Sequence, residues 1–350
     1  MAKGIVLGIA VVLVLLLPCR ATGPVDALLA AADNALDRLR TRKRKDWAVA
    51  AVLLAPSIVI LGAFGVAPIV AAVYMSLFAS KGLAKSFVGL DHYAAALRDP
   101  AFWQSAATTI YYVAGTIPAT LTLSFLVALC LFRLVRGRGL LRTVYFLPYV
   151  TSTVAAAMVW RIIFHPRSGL ANALLAWFGF EPKSWLLEAR GLLFFLTGEQ
   201  ETLMTVGPSL ALCCVILFDI WHSSGFMIVV FLAGLSAIPR ELEESARLDG
   251  ANVFQATWRI TLPLLSPTIF FLAIISVIRA FQAFSSFYAL TGNGRGPLDT
   301  TQNLTVYIFS NFYEYGRLGY GTAVAAMLCL GIVTLTLIQW RAVGRRVHYE

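Results

Sequence analysis

The sequence predicts an all-α membrane protein with a core of six spans, and three observations carry that reading. The chain of 350 residues is 59% hydrophobic and only 13% charged, about half the charge of a soluble domain. Six regions, near 48–78, 104–132, 141–164, 208–235, 264–290 and 320–340, meet or approach the ~20 apolar residues that cross a bilayer. The formal charge of +10 sits in short Lys and Arg clusters between apolar runs. That pattern is positive-inside anchoring in membrane lipid and implies no nucleic-acid partner.

Taken in order, residues 1–45 read as an N-terminal extension. Residues 4–17 form an apolar run after Lys3 that resembles a signal-peptide core. Cleavage there would place the basic run Arg38–Lys45 outside, against the positive-inside trend. A seventh span and an upstream segment foreign to the native protein are the other two readings. Residues 25–39 carry Val25, Leu28, Leu29, Ala32, Leu36 and Leu39 on one stripe, as an amphipathic helix on the inner membrane surface would.

The membrane body then spans 46–346. Prolines such as Pro56, Pro68 and Pro118 interrupt spans, which neighbouring helices can accommodate. Arg38–Lys45, then Arg133, Arg136, Arg138 and Arg142, then Arg341, Arg345 and Arg346 mark cytoplasmic loops. Loops 165–207 and 291–319 are nearly balanced in charge and belong outside. Segment 236–262 therefore faces the cytoplasm. The five cysteines, Cys19, Cys130, Cys213, Cys214 and Cys329, show no metal-ligand spacing and read as small packing residues.

The cytoplasmic segment is polar and helical in its charge arrangement. Pro239 suits a first helical turn. Glu241, Glu243 and Glu244 favour the positive end of a helix dipole. Gly250 can end that helix in a left-handed conformation, and a second helix runs through Phe254 and Trp258 towards Leu262-Pro263. The expected product is a helix–turn–helix hairpin projecting from the membrane, and an ordinary solvated loop is the bland alternative.

Residue order adds a resemblance. Glu244-Ser245-Ala246, Asp249-Gly250-Ala251, Ile260, Leu262-Pro263 and Pro267 resemble the EAA motif of permeases of binding-protein-dependent ABC importers. Ser245 stands where that motif has a second alanine. Tyr145-Phe146-Leu147-Pro148, and Thr291–Pro297 after the fifth span, resemble the carbohydrate-uptake branch, with its maltose-type and glycerol-3-phosphate-type members. The outer loop from Glu188 to Pro208 is longer than the family's, with an apolar stretch at Leu192–Leu196.

The resemblance implies a six-span ABC importer permease core with a cytoplasmic coupling hairpin at 236–262 and an extra N-terminal apolar segment. It implies a bacterial inner-membrane subunit, itself non-catalytic. Its partners would be a second homologous permease, two cytoplasmic ABC ATPase subunits and an extracytoplasmic substrate-binding protein. The cargo would be a sugar, sugar alcohol or glycerol phosphate. In the hairpin, Glu244 and Asp249 would meet basic groups of the ATPase, Gly250 would allow close approach, and Ala246, Leu248 and Ala251 would pack in its cleft. The stretch Glu244–Ala246 would dock with Ser245 at its centre. The chain has no G-x-x-x-x-G-K-[ST] loop, so this subunit would bind no cofactor and its partners would use the ATP.

Ionisable groups inside a membrane are costly and therefore candidates for function. Asp219 lies 17 residues before Ser236, and Arg279 lies 16 residues after Pro263, so both sit about 25 Å from the inner face if the helices are straight. Equal depth predicts that they pair, either to lock two helices or to leave Arg279 holding an anionic or polyhydroxyl substrate. Trp221, His222, Ser223 and Ser224 flank Asp219. Phe281, Gln282, Phe284, Ser285 and Tyr288 follow Arg279. Aromatic faces beside amide and hydroxyl groups suit sugars; packing is the competing reading. A membrane enzyme is disfavoured because no H-E-x-x-H or G-x-S-x-G occurs. A secondary transporter or channel without an ATPase would share the spans but would not need the hairpin.

Overall fold

The computed structural model describes residues 43–81, 84–133, 137–191 and 207–343. The readings of 4–17, 25–39 and Leu192–Leu196 lie outside those residues. Two units separate within the chain, one ending at Tyr74 and one beginning at Met75. The first unit holds α1 (Lys43–Leu61), a π-helical turn at Gly62–Val66 and most of α2 (Ala67–Ser76). Its span, Ala50–Ser76, has a mean hydropathy of 2.3 and none of its most apolar stretch is buried. A helix apolar on all sides is built for lipid or for a neighbouring helix.

The second unit opens with a hairpin, β1 (Phe78–Lys81) antiparallel to β2 (Ala84–Phe87). The short α3 (Asp91–Arg98) follows, then the 34-residue α4 (Pro100–Arg133). At 1.5 Å per residue, α4 is about 50 Å long, more than a bilayer's hydrocarbon core. Its buried face carries Ser105, Thr109, Thr116, Thr120 and Ser124 at helical spacing. Small residues let backbones approach. Thr109 and Thr120 satisfy their own hydroxyls by donating to the carbonyls of Ser105 and Thr116, each at 2.7 Å.

Two predicted spans are broken. α5 (Arg138–Val150) and α6 (Thr153–Ile163) meet at 97°. Pro148 removes a donor there, and Thr151 and Ser152 leave the helical conformation. The Thr151 hydroxyl donates to the Pro148 carbonyl at 2.6 Å. After α7 (Leu170–Trp177), the long α8 (Leu210–Ala237) starts on a Ser209 cap. The fifth span is likewise not one rod. Helix α12 (Ser266–Phe281) stops at Gln282, and α13 (Ser285–Thr291) resumes after a three-residue break. The freed carbonyl of Ala283 accepts from Asn303 Nδ2 and Thr305 Oγ1, which answers the backbone demand that hydrocarbon imposes.

The chain ends with α14 (Leu304–Phe309), a π-helical turn at Ser310–Glu314, and α15 (Leu318–Val343). Among the described residues, four helices are long and apolar enough to cross a membrane, or up to six where each of the two bent pairs is one span. The six spans expected from the sequence are the upper end of that range.

Three apolar cores stack along the second unit. One joins Phe102 at the start of α4 to Tyr307, Tyr320 and Val324. The middle one joins Tyr112, Ala157, Val215, Phe218, Phe287 and Val306. The third joins Leu131 at the end of α4 to Phe231, Leu235, Leu265 and Leu272. Helix α8 runs through the middle and third cores and packs against α4 and α5. Cys214 is buried in α8, but Cys130 and Cys329 lie on exposed faces of α4 and α15. Packing within the chain does not account for those two.

Candidate functional site

Between the fourth and fifth predicted spans, α9 (Arg240–Leu248) follows Pro239 directly. It ends at Gly250, whose φ is +81°. The Ala251 amide reaches back to the Ala246 carbonyl at 2.9 Å, the bond that closes a left-handed helix end. Asn252 then caps α10 (Val253–Ala256). Its side chain accepts from the Gln255 amide at 2.8 Å, and the Gln255 side chain accepts from the Asn252 amide at 2.9 Å. A π-helical turn at Thr257–Thr261 and α11 (Leu262–Leu264) continue the second arm to a 66° bend before α12. The segment is thus a two-armed hairpin and not an irregular loop.

The tip is open. Leu248 is 90% exposed, and Phe254 and Trp258 stack on each other while facing outward. Glu244, Ser245, Asp249 and Gly250 are exposed, Ala251 is partly covered, and Ala246 is buried. No neighbour comes within 4 Å of a Cβ built on Gly250. The base, by contrast, is fastened. Arg133 Nη2 donates to Thr257 Oγ1 at 2.9 Å, and Gly234 lets α8 pass so close to Leu265 and Thr268 that a Cβ would lie 2.7 Å from the Thr268 hydroxyl.

Deeper in the bundle lies a cavity of about 260 Å³. Asp219, His222, Ser223, Arg279, Gln282, Phe284 and Ser285 all line it. Trp221, Ser224, Phe281 and Tyr288 do not. Trp221 packs against Trp160 (ring centroids 5.5 Å apart), Ser224 donates to the Trp221 carbonyl, and Tyr288 stacks on Phe284.

The expected ion pair is absent. Asp219, only 7% exposed, accepts from the Tyr112 hydroxyl at 2.7 Å. Arg279 instead donates to the Tyr149 hydroxyl at 2.9 Å and lies 5.5 Å from the ring centres of Tyr149 and Phe226. The equal-depth argument assumed straight helices, and the 66° bend before Ser266 removes that premise. Sequence reasoning also missed Tyr112, Thr116, Tyr149 and Phe226 as cavity walls. Tyr149 immediately follows the Tyr145–Pro148 stretch, a signal that was available. Tyr112 carried no local signal, because it reaches Asp219 across 107 positions of sequence. Within the cavity wall, His222 Nε2 is buried without a hydrogen-bond partner, an unmet polar group of the kind that a ligand or bound water satisfies.

After α13, Thr291–Pro297 forms a glycine turn. Gly292, Gly294 and Gly296 all have positive φ. Side chains at Gly294 and Gly296 would also strike Val306 and Thr301.

Broken spans around a polar cavity, with an exposed hairpin at one end, define a membrane transport subunit. The family model described as binding-protein-dependent transport system inner membrane component matches residues 93–349, and the chain belongs to that family. It is an inner-membrane permease subunit of an ABC importer that works with a binding protein. It is 32% identical over 323 residues to the probable ABC transporter permease protein YesP of Bacillus subtilis (strain 168), covering 91% of this chain and 98% of that one. It is 31% identical over 303 residues to the sn-glycerol-3-phosphate transport system permease protein UgpA of Agrobacterium fabrum (strain C58 / ATCC 33970), covering 85% and 95%. In fold it is similar to a crystal structure of a bacterial ABC transporter involved in the import of the acidic polysaccharide alginate. The TM-score is 0.71 at 23% identity, over 88% of this chain and 99% of that one.

Proposed function

We propose that this subunit passes a sugar, sugar alcohol or glycerol phosphate from its binding protein through the central cavity, and that the α9–α10 hairpin couples this passage to ATP hydrolysis by partner subunits. The complex contains a second homologous permease and two cytoplasmic ATPases. This chain is non-catalytic and binds no nucleotide itself. Glu244 and Asp249 meet basic groups of the ATPase, Leu248 fills an apolar cleft there, and Gly250 admits the close backbone approach. Ser245, Ala246 and Ala251 keep that surface shallow. The observation that carries this reading is the contrast within the hairpin: outward-facing apolar side chains, Leu248 foremost, beside exposed Glu244 and Asp249, above a base fastened by Arg133 and Gly234. A closing motion delivered at the tip therefore reaches α4, α8 and α12.

In the cavity, Arg279, His222, Gln282, Ser223 and Ser285 offer polar contacts, with Phe284 supplying a ring face. Asp219 holds Tyr112 in place beside them.

The test is ATP hydrolysis by the reconstituted complex, wild type against Glu244→Ala and Gly250→Asp. Binding-protein-stimulated hydrolysis is expected to fall at least ~tenfold in Gly250→Asp, with membrane insertion intact; that factor corresponds to about 1.4 kcal/mol of lost coupling. Unchanged stimulation and uptake in both variants would remove the hairpin from the mechanism.

A further inference from the structure

We propose that a second pocket, over the outer ends of α6 and α13, binds the carboxylate or phosphate group of an anionic carbohydrate on its way to the central cavity. The proposal rests on the transport reading above and narrows its cargo to sugars that carry negative charge.

The pocket has a volume of about 390 Å³. Arg161, His165 and Arg167 line one part of it, and Phe164, Leu186 and Leu290 line the rest. Its position follows from the two helices. Thr153 at the start of α6 and Ser285 at the start of α13 line the central cavity, whereas Arg161 and Thr291 near their ends line this pocket. The helices pack side by side. Eight residues from Thr153 to Arg161 rise about 12 Å, so the two cavities lie at opposite ends of one short helix pair.

The pocket is built before any ligand arrives. Asn172 is 6% exposed, and its side chain holds both rims. Its Nδ2 donates to the carbonyls of Pro166 (2.7 Å) and Lys183 (2.9 Å). Its Oδ1 accepts from the Lys183 amide (3.0 Å) and from Trp185 Nε1 (2.8 Å). Pro166 leads into Arg167, and Trp185 leads into Leu186, so one buried amide fixes the cationic wall against the apolar wall. Gly169 completes the turn, since a Cβ there would lie 2.4 Å from the His165 carbonyl.

The charge is uncompensated. Neither Arg161 nor Arg167 has an ion-pair or hydrogen-bond partner among the described residues. The carboxylate beside the apolar wall, Glu188, is taken by Arg190 at 2.6 Å. That hydrogen bond outweighs burial and holds the Glu188 carboxyl below its usual range. His165 accepts from the Ser168 amide at Nδ1 (3.3 Å), which leaves Nε2 to donate. Two guanidinium groups beside an imidazole donor match the oxygens of a carboxylate or phosphate. The floor of Phe164 and Leu290 suits the apolar face of a sugar ring. A neutral sugar would use the floor and leave the arginines idle. A convex acidic patch on a docking protein would use the arginines and leave the recess empty. An anionic sugar uses both, and Arg279 then offers a third guanidinium in the central cavity.

The experiment titrates the assembled complex in lipid nanodiscs, without ATP, and follows tryptophan fluorescence. Trp185 reports from just behind the pocket wall, because its ring lies 5.8 Å from that of Phe164, and Trp185→Phe identifies its share of the signal. The probes are potassium glucuronate, sn-glycerol 3-phosphate and glucose at matched ionic strength. A saturable response to at least one anion is expected, with none to glucose over the same range. Arg161→Gln combined with Arg167→Gln weakens the response at least ~tenfold, and the paired lysine variant retains part of it. An equal response to glucose, no saturable response to either anion, or an unchanged response in the glutamine variant would overturn the proposal. So would a glutamine variant that loses binding-protein capture but keeps its anion titration, since the arginines would then grip the protein. Gly250→Asp leaves this titration intact, so a failed coupling hairpin and a failed anion site give different results.

Discussion

Asp99 shows how much one carboxylate can organise. Its Oδ1 accepts from the Ala101 amide at 2.9 Å and caps α4, with Pro100 in the first helical position. Its Oδ2 accepts from the hydroxyls of Tyr307 at 2.6 Å and Tyr320 at 3.2 Å. One side chain thus ties together the starts of α4 and α15 and helix α14. Burial pushes the Asp99 carboxyl up, but the tyrosine and backbone hydrogen bonds and the charge of Arg317 together hold it below its ordinary value of 3.8. A carboxyl depressed in the folded state adds stability above the unfolded value, and loses it as pH falls through the lower folded value. Thermal unfolding of the purified subunit should therefore show Asp99→Asn less stable than wild type at pH 7, with the gap closing below pH ~4. An equal gap at pH 7 and pH 3 would mean that the charge of Asp99 contributes nothing.

Among the elements, the contact of α8 with α5 depends on Gly225. A Cβ there would lie 2.4 Å from the Tyr145 carbonyl. Gly225→Ala must push the helices apart, at an expected cost of about 1–3 kcal/mol, readable as a lower unfolding temperature in detergent. Gly250→Ala meets no atom and costs only the left-handed backbone, about 1 kcal/mol. The same two elements show what the sequence could reveal. The hairpin was legible because Pro239, the acidic first turn and Gly250 are local signals within a dozen residues. The breaks in the third and fifth spans were not, because hydropathy counts apolar residues and is blind to their direction. Pro148 hinted at the first break. The second is stabilised by Asn303 and Thr305, about 20 positions away from the carbonyl that they cap. The 66° bend before Ser266, between Pro263 and Arg279, likewise undoes the equal-depth count that paired Asp219 with Arg279. Arg161 and Arg167 escaped notice for a similar reason: only Asn172 reveals that their surroundings form a pocket.

For the whole molecule, two bent spans place a polar cavity within an otherwise apolar bundle and leave the hairpin as an open, apolar-tipped projection. Leu248, Phe254 and Trp258 together are an exposed patch of the kind that marks an unfilled interface. This bears on the life of the protein in the cell. A copy made without its ATPase would show that patch to chaperones and membrane proteases, which read exposed apolar side chains as damage. Pulse-chase labelling should find the lone chain turned over several-fold faster than the chain co-expressed with its partners, and Leu248→Ser should lengthen the orphan's half-life. The surface proposed to couple the complex would then also be the mark by which surplus subunits are recognised and cleared, keeping the components in proportion.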